Sequence, residues 1–466
     1  MIDKVSVTYW YKACQTGPKS KATSQPGFLA PTLAEQLNPK HPLYLLSHEI
    51  DWNYFDREFS PLYSERGRPA HSIRLMTSLL ILKAMYNLSD EKLVEEHWEI
   101  SAHFQYFGGQ EHQKRGQPCA ASDLVHFRQR IGENGVEKIF RHSIDRHGKD
   151  GQDPDVSVDS TAQEKNITFP TDAKLYKKII DKCVAKAKRD GLPIRRSYRR
   201  TAKQLMRDTY NGGHIKRAKK SAAARRKLRT IAGRLVRELG RNLPPGDFKT
   251  ELDLYNRVLD QERDTKNKIY SLHEPEVYCM SKGKAHRKYE YGCKASVVLT
   301  QNTGIIVGAM TFKTNVYDGH TLEDVLEQTA ELTGRAPRTA TVDRGYKGRQ
   351  SIGDTRILMP GPPLKRDSAY QKRKKRNHHR RRAAIEPIIG HLKSDHRAAR
   401  NFLKGQIGDS VNFMMAAAGF NFRKLMDKLQ KMETWLLIQL KKIVYGNLLY
   451  PIGVPRIFMA GPKPLF

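Results

Sequence analysis

The chain has 466 residues, with 83 Lys or Arg against 49 Asp or Glu, so its formal net charge is +34 and its pI is near 9.9. This length predicts more than one structural unit, and this charge favours a polyanionic partner bound through salt-dependent contacts. The start lacks the apolar stretch of a signal peptide, and no run of 18 apolar residues exists, which argues against a secreted or membrane-spanning protein. Five scattered cysteines without a CxxC pair predict reduced thiols in a cytoplasmic protein and argue against a zinc site or a disulfide framework.

The N-terminal third predicts a small helical domain over residues 61–150, expected to bind DNA. Residues 1–60 contain many turn formers and receive no assignment. Apolar residues at helical spacing begin after Ser72, a plausible N-cap, and further helices are predicted over 90–97 and 122–131. Five arginines of this region are equally compatible with phosphate contacts and with a solvated face: Arg66, Arg68, Arg74, Arg128 and Arg130.

A strand and then a strongly basic segment follow. In residues 155–161, Val156 and Val158 alternate with polar residues, which predicts a short strand closed by Asp159. Between Lys174 and Arg241 there are 24 Lys or Arg and only 4 acids, yet apolar residues recur at helical spacing. We therefore expect a basic helical insertion over 173–275, broken at 211–213 and 243–247, that contacts the DNA backbone. A charged helical hairpin without that role is the alternative.

The strand pattern then returns and predicts a mixed α/β core formed by residues 151–172 and 276–400. Two β-rich runs, 289–299 and 305–312, are joined by a hairpin signal, and a helix over 321–332 is capped near Gly334. Strands at 339–343 and 356–359 precede a cationic stretch and a helix. The rest, 401–466, is a C-terminal helix and tail, helical over 410–444.

Three acidic residues are placed to meet. Asp159 and Asp343 end two strands and would lie side by side if those strands pair, and Glu386 is on the following helix. Converging carboxylates repel one another unless cations lie between them, and hard oxygen ligands select Mg²⁺ or Mn²⁺. Two such ions about 3.5–4 Å apart support in-line phosphoryl transfer. The pattern thus predicts that Asp159, Asp343 and Glu386 are catalytic metal ligands.

Several neighbours of these acids are candidate DNA contacts. On one helix, Arg382 and Lys393 would lie within about 40° of the face of Glu386, where both can meet phosphate. Tyr346 either stacks on a displaced base or is a packed core tyrosine. A basic loop before the hairpin is also expected to face phosphate, through Lys284, Arg287 and Lys288.

Three segments carry a resemblance to a known family. VDST (158–161), TVDRGYKG (341–348) and RRRAAIEPIIGHLKSDHR (380–397) resemble the catalytic blocks of DDE transposases, most of all the bacterial insertion-sequence-five group within the IS4-like class. That class has the signature Tyr-x₂-Arg-x₃-Glu-x₆-Lys. Here the four positions are occupied, at the same spacing, by His379, Arg382, Glu386 and Lys393. Histidine thus replaces tyrosine, and His379 can still donate a hydrogen bond to phosphate.

The resemblance, which spans about residues 60–430, implies an RNase H-like catalytic fold and two Mg²⁺ or Mn²⁺ ions. It also implies double-stranded DNA as substrate, with cutting at terminal inverted repeats and joining of the 3′-hydroxyl ends to target DNA by a homodimer or higher oligomer. Because 184 positions separate Asp159 from Asp343 and only 43 separate Asp343 from Glu386, the extra material is expected early in the core. The alternatives are an RNase H-like nuclease without strand transfer and a non-enzymatic basic DNA- or RNA-binding protein.

Overall fold

A computed structural model describes residues 15–16, 31–64, 66–244, 246, 248–262, 264–281, 289–314, 316–346 and 348–448. The predicted phosphate-facing loop, with Lys284, Arg287 and Lys288, lies outside these residues. The chain divides into two compact units, one from residues 1–130 and 421–466 and one from residues 131–420. Within the described ranges, no helix is long and apolar enough to cross a membrane.

The first unit is helical, and its helices begin where the apolar period begins. The Ser72 side chain accepts the Leu75 amide at 3.3 Å, as expected of an N-cap. The helices, in order, are α1 (Leu33–Gln36), α2 (Pro42–Glu49), α3 (Trp52–Phe59), α4 (Ile73–Met85), α5 (Asp90–Lys92, continuing through a π-helical turn Leu93–His97 into Trp98–Ile100), α6 (Ala102–Phe107) and the first part of α7 (Ala121–Asp145). Two short strands, β1 (Gln15–Thr16) and β2 (Arg68–Pro69), pair in parallel. Helix α7 is interrupted at Gly132, whose φ of 62° suits glycine.

Two arginines of this unit have a structural role that the sequence pattern did not indicate. Arg74 donates to the Tyr106 carbonyl at 3.3 Å, and its guanidinium lies 4.9 Å from the centroid of the Trp52 ring. Arg128 forms a two-bond pair with Asp90, at 2.9 and 2.6 Å, and is itself buried. The expectation of phosphate contacts or a solvated face is therefore wrong for Arg74 and Arg128, because both cations join helices to one another inside the unit.

The second unit contains a mixed sheet. Its strands are β3 (Asp155–Lys165), β4 (Tyr278–Ser281), β5 (Tyr289–Thr300), β6 (Ile306–Phe312), β7 (Thr339–Thr341), β8 (Ser351–Ile352), β9 (Thr355–Leu358) and β10 (Arg400–Asn401). Strand β3 lies between β5, which is antiparallel to it, and β7, which is parallel. Strand β5 also pairs antiparallel with β4 and β6, while β7 pairs in parallel with β9. Strand β8 is antiparallel to β9, and β10 is parallel to the end of β3. The predicted mixed α/β class is confirmed.

The bounds of two predicted strands were wrong, and pairing explains both. Strand β3 continues to Lys165 because β5 pairs with it from Val156 to Glu164, so Asp159 lies within the strand and does not close it. Strand β7 ends at Thr341, and Asp343 comes two residues later. The predicted hairpin of β5 and β6 is confirmed.

Helices cover the sheet. Helix α12 (Asp318–Thr333) packs against β5 and β6, where the Gln328 side chain accepts the Ala309 amide at 3.0 Å. It ends at Gly334, whose φ is 76°, as the sequence predicts. The remaining helices are α13 (Ala369–Ala383), α14 (Ile385–Asp395) and α15 (Gly405–Leu448).

The basic segment between β3 and β4 forms four helices around a core of its own. They are α8 (Asp172–Arg189), α9 (Arg199–Asp208), α10 (Ile215–Asn242) and α11 (Lys249–Asp260). Ile179, Leu228 and Val258 are fully buried in one apolar cluster. The cations of this segment are mostly exposed. The breaks between α9 and α10 and between α10 and α11 contain the predicted turn residues, whereas the break after α8 was not predicted.

Candidate active site

The parallel register of β3 and β7 sets the position of two carboxylates. It pairs Asp155 with Thr339 and Ser157 with Thr341. Asp159 and Asp343 each lie two residues beyond this last pair, at the same end of the paired segments, and both of their charges act on Tyr346. Each carboxylate is half-buried and accepts a nearby backbone amide, Asp159 that of Ser160 at 2.8 Å and Asp343 that of Gly345 at 2.7 Å.

Glu386 joins this edge of the sheet through an arginine. The Arg382 guanidinium is 3.2 Å from Glu386 Oε1 and 3.9 Å from Asp159 Oδ2. The expected single helix through both residues is wrong, since α13 and α14 are separate and meet at Ala384. Because Ala384 keeps helical backbone angles (φ −63°, ψ −18°), the contact between Arg382 and Glu386 survives the junction. One cation therefore links two of the three predicted acids.

A fourth acid lies at this site, and the sequence pattern did not reveal it. Asp318 is the first residue of α12, and its Oδ1 accepts the Ser160 hydroxyl at 2.6 Å. The Lys294 ammonium on β5 is 2.6 Å from the same oxygen and also donates to the Val316 carbonyl at 2.6 Å. An aspartate at a helix start is common as a charge that favours the helix dipole, so no sequence signal separated this residue from an ordinary one.

Tyr346 lies beneath these acids. Its side chain is 2% exposed, and its hydroxyl makes no hydrogen bond of ordinary geometry with any described residue. Burial, reinforced by the negative charges of Asp318, Asp159 and Asp343, raises the pKa of Tyr346 well above its usual value. The phenol is thus a neutral donor near the carboxylates. Of the two sequence hypotheses, the packed core tyrosine is the one observed, because a ring this buried cannot stack on a base.

The other predicted contacts are dispersed. His379 is exposed on α13, a helix in which the structure describes no buried side chain. Lys393 is half-buried on α14. Helix α13 also carries eight Lys or Arg among its fifteen residues, so this helix is a cationic surface beside Glu386.

The donor set fits a hard divalent cation in its chemistry. Asp159, Asp343 and Glu386 present only carboxylate oxygens, which Mg²⁺ and Mn²⁺ prefer. In the arrangement described, no three His, Cys, Asp or Glu side chains of the described ranges lie close enough to hold an ion. The Arg382 guanidinium instead lies between Asp159 and Glu386, and the Glu386 side chain is 58% exposed. A positive charge therefore already compensates the carboxylates at the place where an ion would bind.

Two family models match this chain. Residues 31–130 match a transposase domain (DUF772), and residues 271–422 match a transposase DDE domain. The uncharacterized protein ORF8 in the nfe locus of Rhizobium meliloti is 38% identical over 173 residues, which cover 36% of this chain and 83% of that protein. No solved structure matches.

The matched DDE domain includes Asp318, Asp343 and Glu386, whereas Asp159 precedes it. Strand β3, which carries Asp159, is the central strand of the same sheet. The two domain models cover the helical N-terminal unit and most strands of the sheet. The chain belongs to the DDE transposases.

Proposed function

We propose that this transposase binds the terminal inverted repeats of its own insertion sequence, cuts the DNA by two-metal-ion hydrolysis and joins the freed 3′-hydroxyl ends to target DNA. The observation that supports the proposal is the placement of Asp159 and Asp343 at the same end of the paired strands β3 and β7, with Arg382 linking Asp159 to Glu386. Arg382, Glu386 and Lys393 match three of the four positions of the Tyr-x₂-Arg-x₃-Glu-x₆-Lys signature and support a place in the insertion-sequence-five group, while His379 departs from it.

The strand order supports an RNase H-like core. Strands β6, β5 and β3 are neighbours in antiparallel pairs, and β7 and β9 continue the sheet in parallel with β3. The acids thus project from the central strand, from the segment that follows its parallel neighbour, and from a helix beyond. The basic helices α8–α11 are an insertion into this core between its first two strands.

Each residue of the site has a distinct role in this proposal. Asp159, Asp343 and Glu386 would hold two divalent ions, whose chemistry would be to activate the attacking oxygen and to stabilise the leaving oxygen. Arg382 presents a planar fork that can donate two hydrogen bonds to a phosphate, while Lys393 adds a point charge. His379 donates to phosphate from the exposed face of α13.

The surrounding cations would hold the DNA. The exposed Lys and Arg of α8–α11, those of α13, and the loop residues Lys284, Arg287 and Lys288 make sequence-independent contacts with the backbone, while the helical unit around α4–α7 reads the ends. A dimer or higher oligomer follows from the need to hold two ends in one complex.

Excision tests this proposal. The gene with its native flanking DNA is placed on a plasmid, and loss of the flanked segment is followed by PCR for wild type, Asp343→Asn and Asp324→Asn. Asp324 is an exposed residue of α12 and serves as the charge-matched control. We expect loss with wild type and Asp324→Asn but not with Asp343→Asn. Equal loss with Asp343→Asn would refute the site.

Strand transfer needs a separate assay, because a nuclease would share the same acids. Purified protein is incubated with Mg²⁺, a target plasmid and a DNA duplex that contains the terminal inverted repeat (the end duplex). Joined products support a transposase, whereas nicked ends that never join favour the nuclease.

A further inference from the structure

Asp318 is bonded on one side only. Its Oδ1 takes both the Ser160 hydroxyl and the Lys294 ammonium, each at 2.6 Å. No described group donates to Oδ2, and the side chain is 30% exposed. An aspartate that served only as a helix cap would use its oxygens on the amides of its own first turn, which Asp318 does not. One carboxylate oxygen of Asp318 is thus open to a further ligand.

The open oxygen lies on the same side as Asp343. A Cβ placed on Gly345 would be 2.9 Å from Asp343 Oδ1 and 3.5 Å from Asp318 Oδ2. Both oxygens therefore approach one point beside the Gly345 backbone, and the absence of a side chain there leaves the space between them clear. Asp318 also contacts Ser160, which is the residue that follows Asp159 in β3.

A second observation points to a ligand at the same place. The Tyr346 hydroxyl is almost fully buried and makes no hydrogen bond of ordinary geometry with a described residue. The charges of Asp318, Asp159 and Asp343 all act on it. The Ser160 side chain is the polar group beside this phenol, and it already donates to Asp318. Leaving a buried hydroxyl unsatisfied is unfavourable by about 1–3 kcal/mol, and the water shell of a cation bound at these carboxylates would satisfy it.

We infer that Asp318 is a fourth carboxylate of the catalytic site and offers its Oδ2 to the divalent ions held by Asp159 and Asp343. This inference rests on the proposed function. In it, Lys294 is an internal cation that compensates Asp318 and competes with the ions for it. In the alternative view, Asp318 is only the counter-ion of Lys294. The two views predict different effects of removing Lys294 on the affinity for divalent ions.

Mn²⁺ binding to the purified full-length protein decides between them, measured by electron paramagnetic resonance titration without DNA. The variants are Asp318→Asn, Lys294→Gln, Asp343→Asn and the control Asp324→Asn. We expect Asp318→Asn to weaken Mn²⁺ binding by about tenfold, at the low end of the range for groups supporting a metal site. We expect Lys294→Gln to strengthen it by about twofold or more, because a competing cation is gone. Asp324→Asn should leave it unchanged.

The outcomes separate this inference from the proposal on which it rests. Unchanged Mn²⁺ affinity in Asp318→Asn, or weaker or unchanged binding in Lys294→Gln, overturns the inference alone, provided that Asp343→Asn weakens binding. Wild-type affinity in Asp343→Asn instead overturns the proposed metal site and the inference with it. Should Asp318→Asn fail to fold, as judged by circular dichroism, Lys294→Gln alone decides the question, since its expected gain cannot come from damage.

Discussion

The sheet and the basic helices α8–α11 lie in the same unit but depend on their residues in opposite ways. At the sheet, single side chains matter: the half-buried Asp159 and Asp343 and the exposed Glu386 each have specific partners. In α8–α11 the specific residues are inside, in an apolar cluster, and the outward cations are numerous and mutually similar. Catalysis at the carboxylates depends on a few atoms in fixed positions, whereas binding of the DNA backbone by these helices depends on their total positive charge.

The largest effect should come from the inside of the helical segment. Leu228 is fully buried in its cluster, and Leu228→Ala should lower the free energy of unfolding by about 2–5 kcal/mol. We expect hydrogen exchange, followed by mass spectrometry, to show reduced protection in α8–α11 with β3 and β5 still protected. The exposed neighbour Lys227 supplies the control, as Lys227→Ala should change neither region. Equal loss of protection in the sheet would show that the two regions unfold as one.

At the sheet edge, a single added methyl group should act on activity but not on stability. Gly345→Ala places a Cβ 2.9 Å from Asp343 Oδ1, so this carboxylate must move. We expect excision to fall by about 10- to 100-fold, the range seen when support of a metal ligand is removed, with little change in melting temperature. Gly361→Ala is the matched control, because no atom lies within 4 Å of its added Cβ. Full activity of Gly345→Ala would mean that the position of Asp343 is not critical.

Neutralising cations of α10 should act gradually. Arg225, Arg226, Lys227 and Arg229 are exposed, and changing all four to Gln should reduce the slope of log affinity against log salt by up to about 0.9 for each phosphate that is no longer neutralised. Fluorescence anisotropy with end and random duplexes measures this slope. Replacing the three arginines by lysine should preserve it, because point charge suffices. A weakening confined to the end duplex would instead indicate base recognition.

The smallest effect concerns Arg382, the cation that links Asp159 to Glu386. With Arg382→Ala the carboxylates lose this compensation, so Mg²⁺ should stabilise the variant more than it stabilises wild type. A difference of about 1 kcal/mol corresponds to roughly 2–4 °C in the Mg²⁺-dependent rise of melting temperature. Arg381→Ala, an exposed neighbour, should behave like wild type. An equal rise in wild type and Arg382→Ala would place the ions away from this guanidinium.

Local patterns predicted the long elements well and the short ones poorly. The apolar pattern predicted α4, α10 and α12, because α10 and α12 each bury one side and α4 is buried over almost its whole surface. The three short helices before residue 60 were missed, since few turns give no measurable period. The end of β3 could not be predicted, because it depends on pairing with β5, which is more than 120 residues away in the chain.

The candidate site shows the same division. Asp159, Asp343 and Glu386 were selected by their motifs, and they remain predictions for experiment. Asp318 was not selected, because its partners Ser160 and Lys294 belong to other strands and only the folded sheet brings them together. Arg74 and Arg128 are the opposite case. The sequence suggested them as surface or phosphate-binding cations, but in the structure they form hydrogen bonds between helices.

The pairing around Gly292 sets where the chain leaves the sheet before α8 and where it returns after α11. On one side of Gly292 lies Glu164, near the end of β3, and on the other side lies Tyr278, the first residue of β4. A Cβ at Gly292 would collide with the Gln163 carbonyl oxygen, so only glycine allows β3 and β5 to pair this closely at this position.

The chain between Glu164 and Tyr278 thus leaves and re-enters the sheet about two strand spacings apart, on the order of 10 Å. Doubling the length of such a connection adds only about 0.6 kcal/mol of loop-closure entropy. We therefore expect that α8–α11 can be replaced by a helical module of another length while the sheet and the positions of Asp159 and Asp343 stay unchanged.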